Sequence, residues 1–254
     1  MDNRFINTGL NGYDRLLGGL KMGEIVVVAA RPAIGKTALL MNLLVNILSD
    51  HTCAYLSCRD KILEDYDAYD KLVRLISHLN VDDELKGKKF LQGERYLKNL
   101  LMENKFIFFD NFTTLPELIS ETRLIKQTSK MSMLFIDNIL LSQLTIRHKM
   151  VKMQMSKLKQ LAEELNIAVV VSTCLSRMNQ IHFGFRQLNG ELKAVADKIV
   201  FIDRPALYAV ESQISNGSVQ KDEFDLHVFN GKKVKIGAIR LNFNNRSLKI
   251  TDTV

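Results

Sequence analysis

The sequence predicts an α/β fold: a mainly parallel central sheet flanked by helices, with β-hairpins added at one edge. Three observations predict it. Apolar, β-branched runs such as "EIVVVAA" and "IAVVVSTC" alternate with helix-period segments. That is the pattern of parallel strands covered on both faces by crossover helices. The tail changes character, to short runs separated by "GKKVK" and "NNR", and reads as hairpins. Finally, the 254 residues are 46% apolar and 25% charged with three prolines, which argues against long disordered regions.

The elements follow in order. "EIVVVAA" (Glu24–Ala30) is the first sheet strand, and "KTALLMNLLVNILSD" the helix after it. "CAYLS" (Cys53–Ser57) is a short second strand. A polar, helix-like stretch rich in Asp, Lys and Tyr runs to about Lys98, and "KFIFFDN" (Lys105–Asn111) is the third strand. "LPELISETRLIKQ" carries a helix start: Thr113 or Thr114 caps it, Pro116 suits the first turn, and Glu117 favours the positive end. "SMLFIDNILL" (Ser132–Leu141) is the fourth strand, followed by the amphipathic helix "HKMVKMQMSKLKQLAEELN". "IAVVVSTC" (Ile167–Cys174) and "KIVFID" (Lys198–Asp203) are the fifth and sixth. "EFDLHVFN", "IGAIRLNFN" and "SLKITD" form the edge hairpins. With no repeat and no low-complexity linker, one domain spanning residues 1–254 is the simplest count.

Charge and composition narrow the function classes. The net charge is +7. A basic surplus suits an anionic partner such as nucleic acid, and equally a solvated basic surface. The start "MDNRFINTGLNGYDRLLGG" lacks a basic-then-apolar signal pattern. No run approaches the roughly 18 apolar residues of a membrane span. Cys53, Cys58 and Cys174 are an odd number without metal-ligand spacing, so they read as reduced thiols in a cytoplasmic protein.

The chemistry concentrates at "ARPAIGKT" (Ala30–Thr37), which follows a strand and opens a helix. That is the context of a phosphate loop. Backbone N–H groups around Gly35 and the helix start can hold phosphate oxygens. Lys36 can reach the β- and γ-phosphates, and the Thr37 hydroxyl can hold Mg²⁺. The surrounding residues Arg31, Pro32, Ala33, Ile34 and Ala38 complete the candidate nucleotide cradle. In "MLFIDN", four apolar residues lead to Asp137 at a strand's carboxyl end, where an acid can bind Mg²⁺ directly or through water. Alone, such an aspartate would more often cap a turn. Beside a phosphate loop the metal role is favoured, and ATP with Mg²⁺ is the implied ligand.

The stretch Thr8–Asn42 resembles the start of the ATPase domain of DnaB-type replicative helicases, RecA-like P-loop motors that form hexameric rings on single-stranded DNA. The matching residues are Thr8-Gly9, Tyr13-Asp14, Gly18-Gly19-Leu20, Gly23-Glu24 and Ala30-Arg31-Pro32-Ala33-Ile34-Gly35-Lys36-Thr37. The likeness recurs in "FIDNILL", "LAEELNIAVVVST", "ADKIVFIDRPALY" and "GAIRLNFN" and is weakest between about Arg59 and Lys105. It implies a RecA-like P-loop NTPase fold, with Arg204 near the nucleotide base. The expectation is the motor part alone, without the N-terminal domain that engages primase and without the linker helix that latches neighbours. A homo-oligomeric ring is therefore less secure than the fold. A RecA-like recombination mediator or a circadian-type ATPase shares the fold but matches "ARPAIGKT" less well.

Several positions depart from the family pattern. Its second strand ends in Ser-Leu-Glu, whose glutamate activates water; here the residues are Ser57-Cys58-Arg59. Arginine cannot act as a base. Asp60 is the nearest substitute and Glu64 a more distant one. Cys174 stands where the family has a γ-phosphate-sensing glutamine. The trans-acting Lys-x-Arg aligns with Asn230-Gly231-Lys232, so Lys232 is the candidate finger; a solvated basic hairpin is the plainer reading. In the DNA-contacting loop, "FRQLNG" puts Gln187 at the family's arginine position and keeps Gly190. Arg177 and Arg186 lie nearby, beside aromatics, as in single-strand binders, and Arg147 is a further candidate.

Two expectations follow. One is a DnaB-like, DNA-dependent ATPase with weakened turnover. The other is a nucleotide-binding module that docks on a replicative helicase, another replisome protein or DNA to assist, cap or inhibit it.

Overall fold

The computed structural model describes residues 5–57, 68–79, 87–109, 114–137, 148–175, 190–207, 222–231 and 234–253. Six strands form the parallel body: β3 (Ile25–Ala30), β4 (Thr52–Ser57), β5 (Phe106–Phe109), β6 (Met131–Asp137), β7 (Ala168–Cys174) and β8 (Lys198–Asp203). Strands β9 (Glu223–Asn230), β10 (Lys235–Asn244) and β11 (Lys249–Asp252) continue it antiparallel. The nine-stranded order is β11-β10-β9-β8-β3-β7-β6-β4-β5. The edge hairpins are thus where the tail composition places them.

Both faces are covered. Along β3, Val26, Val28 and Ala30 join one buried cluster, while Ile25, Val27 and Ala29 join the other. This period-2 split is why the strand reads as a continuous apolar run. The first cluster takes up α2 (Lys36–Ile47), α3 (Ala68–Ile76) and α4 (Lys88–Met102). The second takes up α5 (Leu115–Thr128) and α6 (His148–Leu165). Helix α5 starts as read: Thr114 and Glu117 form a reciprocal capping box, with proline in the first turn.

The N-terminal residues matched to the family are structural. Strands β1 (Phe5–Ile6) and β2 (Leu20–Lys21) pair antiparallel around α1 (Asn11–Leu17). Asp14 accepts from the Thr8 backbone N–H at 3.0 Å and from its hydroxyl at 2.8 Å, which fixes the turn into α1. Gly19 has φ +95, and a Cβ there would lie 2.3 Å from the Ile6 carbonyl oxygen. Only glycine allows that approach. Sequence reasoning gave these short pieces no element of their own, because they are too brief to carry a period.

The tail is stitched to the body. Asn42, buried on α2, donates to the Leu248 carbonyl at 2.7 Å and accepts from the Ile250 N–H at 2.9 Å. Asp252 accepts from the N–H groups of Asn11 and Gly12, both at 2.9 Å, and so caps the amino-terminal start of α1. Gly190, read as part of a loop, opens a short helix, α7 (Gly190–Val195).

Candidate functional site

The parallel strands carry their carboxyl ends to one edge, and β3 sits between β8 and β7. The chain leaves β3 for the β4 side and later returns to β8 on its other side, a topological switch where ligands of open α/β sheets bind. The loop after β3 stands at that crevice. Ala33 takes φ +63 and Gly35 φ +122, which curls the backbone before α2 begins at Lys36. A Cβ on Gly35 would lie 2.8 Å from the Phe224 ring. Conformation and packing both demand glycine there.

Lys36 is buried, and its ammonium donates to the carbonyls of Arg31 at 2.9 Å and Ala30 at 3.3 Å. An ammonium has three donors. Among the described residues these two carbonyls are its partners, so one N–H remains to offer. The loop lines a cavity of about 380 Å³ with Pro32, Ala33, Gly35, Lys36, Thr37 and Ala38. Ile34 turns its side chain into the core and can contribute backbone only.

The cavity's other walls come from distant segments. Arg204, just past β8, and Phe243 on β10 line one part, with Asn245 and Leu248. The Arg204 guanidinium lies over the Phe243 ring, 4.7 Å from its centroid, a cation–π arrangement. Burial lowers the Arg204 pKa below its ordinary value, with Asp222 acting in the opposite sense. The Arg204 Nε is buried and has no hydrogen-bond partner among the described residues, so the site has a donor to offer. Phe224 on β9 packs against Phe243 at 5.4 Å between centroids and supports this wall from beneath Gly35. On the opposite side, Cys174 at the end of β7 and Lys71 on α3 complete the lining.

Asp137 ends β6 and is 6% exposed. Register sets it opposite Ser57 on β4. Its Oδ2 accepts from the Tyr55 hydroxyl at 2.8 Å and its Oδ1 from the Ser172 hydroxyl at 2.7 Å. Both donors are fully buried. A buried carboxylate is costly unless hydrogen-bonded, and each oxygen here has a donor. With one lone pair on each engaged, the carboxylate keeps acceptor capacity for a water or a cation. Thr37 and Asp137 are the described residues whose chemistry suits Mg²⁺, and Lys36 with the loop N–H groups suits phosphate. The cavity and the strand-end acid fit a Mg²⁺-nucleotide.

The structure brings Pro32, Ala33, Gly35, Lys36, Thr37 and Ala38 together with Arg204 around one cavity; Arg31 lies outside the lining and offers Lys36 its carbonyl, and Asp137 stands at the end of β6. Sequence reasoning missed Tyr55, Ser172, Lys71 and Phe243. Strand alternation alone places Tyr55 on the same face as Ser57, but only the adjacency of β4, β6 and β7 aims both hydroxyls at Asp137. Asp60, Glu64, Arg147, Arg177, Arg186, Gln187 and Lys232 lie outside the described residues. Gly231, beside Lys232, donates its N–H to the Asp197 carbonyl at 3.0 Å. It therefore sits at the amino-terminal edge of β8, the end of the sheet opposite the phosphate loop. Gly190 stands apart from the lining, at the start of α7. Cys53 is buried, which pushes its thiol pKa up. Among the described residues no helix is long and apolar enough to cross a membrane.

Comparison with known proteins agrees with this architecture. The family model for the DnaB-like helicase C-terminal domain matches residues 6–252. The chain is similar to the replicative DNA helicase DnaB of Buchnera aphidicola subsp. Baizongia pistaciae, with 26% identity over 258 residues, covering 94% of this chain and 54% of that protein. The DnaB of Geobacillus stearothermophilus is 24% identical, with the same coverage. The chain spans about half the length of the curated relatives it matches. Among solved structures, an isolated ATPase domain superposes with a TM-score of 0.80 at 19% identity, over 100% of this chain and 94% of that one. A DnaB-like replicative helicase, described with its interactions with primase, gives 0.79 at 19%, over 98% and 62%. At that identity the structural likeness shows the fold alone.

Proposed function

We propose, for a chain that belongs to the DnaB-like helicase C-terminal domain family, that it binds ATP with Mg²⁺ and works as a helicase-like, DNA-dependent ATPase with weakened turnover. The observation that carries this reading is the cavity in which the phosphate loop, Lys36 and Arg204 converge, with Asp137 at a neighbouring strand end. Lys36 and the loop N–H groups hold the phosphates. Thr37 and Asp137 hold the cation, Asp137 directly or through water on the lone pairs that its two buried hydroxyl partners leave open. Mg²⁺ supplies charge neutralisation on the phosphates when bound. Arg204 and Phe243 form the wall for the base. Asp60, or more distantly Glu64, takes the proton of the attacking water.

Lys232 acts in trans. Its neighbour Gly231 lies at the opposite end of the sheet from its own phosphate loop, so a cation there suits a second copy's site. That supports a ring. Arg177, Arg186, Gln187, Gly190 and Arg147 are the proposed contacts to single-stranded DNA. Slow turnover follows from the replaced glutamate: loss of a general base costs about 10²–10⁴-fold in rate.

One observation favours a second reading. Cys174 lines the cavity, the resemblance implies that it replaces the family's sensing glutamine, and a thiol is a weak donor. The chain would then be a nucleotide-gated module that docks on a replicative helicase or on DNA. Phosphate release by purified protein, with and without single-stranded DNA and beside a Lys36→Ala control, separates the two. DNA-stimulated release that the control abolishes is expected. Nucleotide binding with no release above the control would select the second reading.

A further inference from the structure

We propose that Lys71 recognises the terminal phosphate of the bound nucleotide, so that this chain distinguishes ATP from ADP through a lysine on α3. The inference rests on the nucleotide-binding reading above and goes beyond it by assigning a residue that none of the sequence motifs contains.

The cavity is ordered by the sheet. Arg204 and Phe243 come from β8 and β10, on one side of β3. Cys174 ends β7, on the other side, and Lys71 belongs to the helix that follows β4, farther along that same side. Asp137 ends β6, between β7 and β4. The phosphate loop lies between the two walls. A nucleotide whose base meets the Arg204–Phe243 wall therefore runs its phosphates across Lys36 toward the β7 side. Its last phosphate arrives on the β7 side, where Lys71 lines the cavity and beyond which Asp137 ends β6.

Charge points the same way. The described lining residues include Lys36, Lys71 and Arg204 and no carboxylate. A triphosphate needs more than one cation along its length, and Lys71 is the cation of the terminal end. Its helix is well placed to hold it. Leu72 and Val73 are fully buried and Leu75 nearly so, which fixes α3 against the core. Lys71 itself is half-buried, so its flexible stem can bring the ammonium to the phosphate.

The test is isothermal titration of a non-hydrolysable ATP analogue and of ADP, each with Mg²⁺, into wild-type protein, Lys71→Met and Lys71→Arg. Affinity of the methionine variant for the triphosphate should fall about tenfold or more, while its affinity for ADP stays within about twofold. The arginine variant should keep most of the preference. Equal weakening toward both nucleotides, or none toward either, would overturn the inference and leave the nucleotide reading intact. Failure of the wild type to bind either nucleotide would remove that reading, and this inference with it. If the methionine variant does not fold, Lys71→Gln gives the same contrast.

Discussion

Asp137 shows how single residues set the site. A carboxylate at 6% exposure needs donors. Tyr55 and Ser172 supply one to each oxygen, at 2.8 and 2.7 Å, from the two flanking strands. They hold the group in one orientation, as partners of a metal-binding acid generally do. Tyr55→Phe and Ser172→Ala each leave one buried oxygen short of a donor. Each should lower stability by about 1–3 kcal/mol in urea denaturation. Each should also raise the Mg²⁺ concentration needed for half-maximal nucleotide binding, by about tenfold. A variant that binds nucleotide at the wild-type Mg²⁺ requirement would show that the hydroxyls serve stability alone. Cys174 makes the complementary point: its place in the wall is clear, but a thiol brings little hydrogen-bonding power to it.

Among the elements, α2 links the phosphate loop to the tail. Its first residue is Lys36, and two turns later Asn42 binds both Leu248 and Ile250 around the start of β11. Leu248 also lines the cavity. The helix thus ties the loop to the wall that faces Arg204. Asn42→Ala would orphan the part-buried Leu248 carbonyl and the buried Ile250 N–H and should cost about 1–3 kcal/mol. It should also weaken nucleotide binding, and parallel urea and nucleotide titrations would check both. Loss of stability with unchanged binding would mean that the tail is a separate brace. The parallel strands and the start of α5 were legible because their signals are local: β-branched runs, and a capping box within four residues. The Asn42 tie was not, because it joins residues far apart in sequence. No local pattern marks an asparagine on a helix as a partner for a strand near the chain's end.

Across the whole molecule the site is a product of strand order. β3 lies between β8 and β7, so the cavity draws Arg204 and Phe243 from one side and Cys174 and Lys71 from the other. "ARPAIGKT" and the strand-end Asp137 were legible in the sequence as candidates for phosphate and metal binding, because each is a residue type in a local context. Phe243 and Lys71 had no such context; one reads as a hairpin core residue and the other as a solvated helix charge until the sheet is assembled. The same order carries Gly231, at the end of β9, to the far edge of the sheet. One fold therefore offers the loop-lined cavity at one end of its sheet and Gly231 at the other. The most direct measurement of the central claim is the affinity of purified protein for ATP with Mg²⁺, by isothermal titration, beside Lys36→Ala. Saturable binding by the wild type and a loss of at least about tenfold in the variant are expected. Equal binding by both proteins, or none by the folded wild type, would contradict that claim.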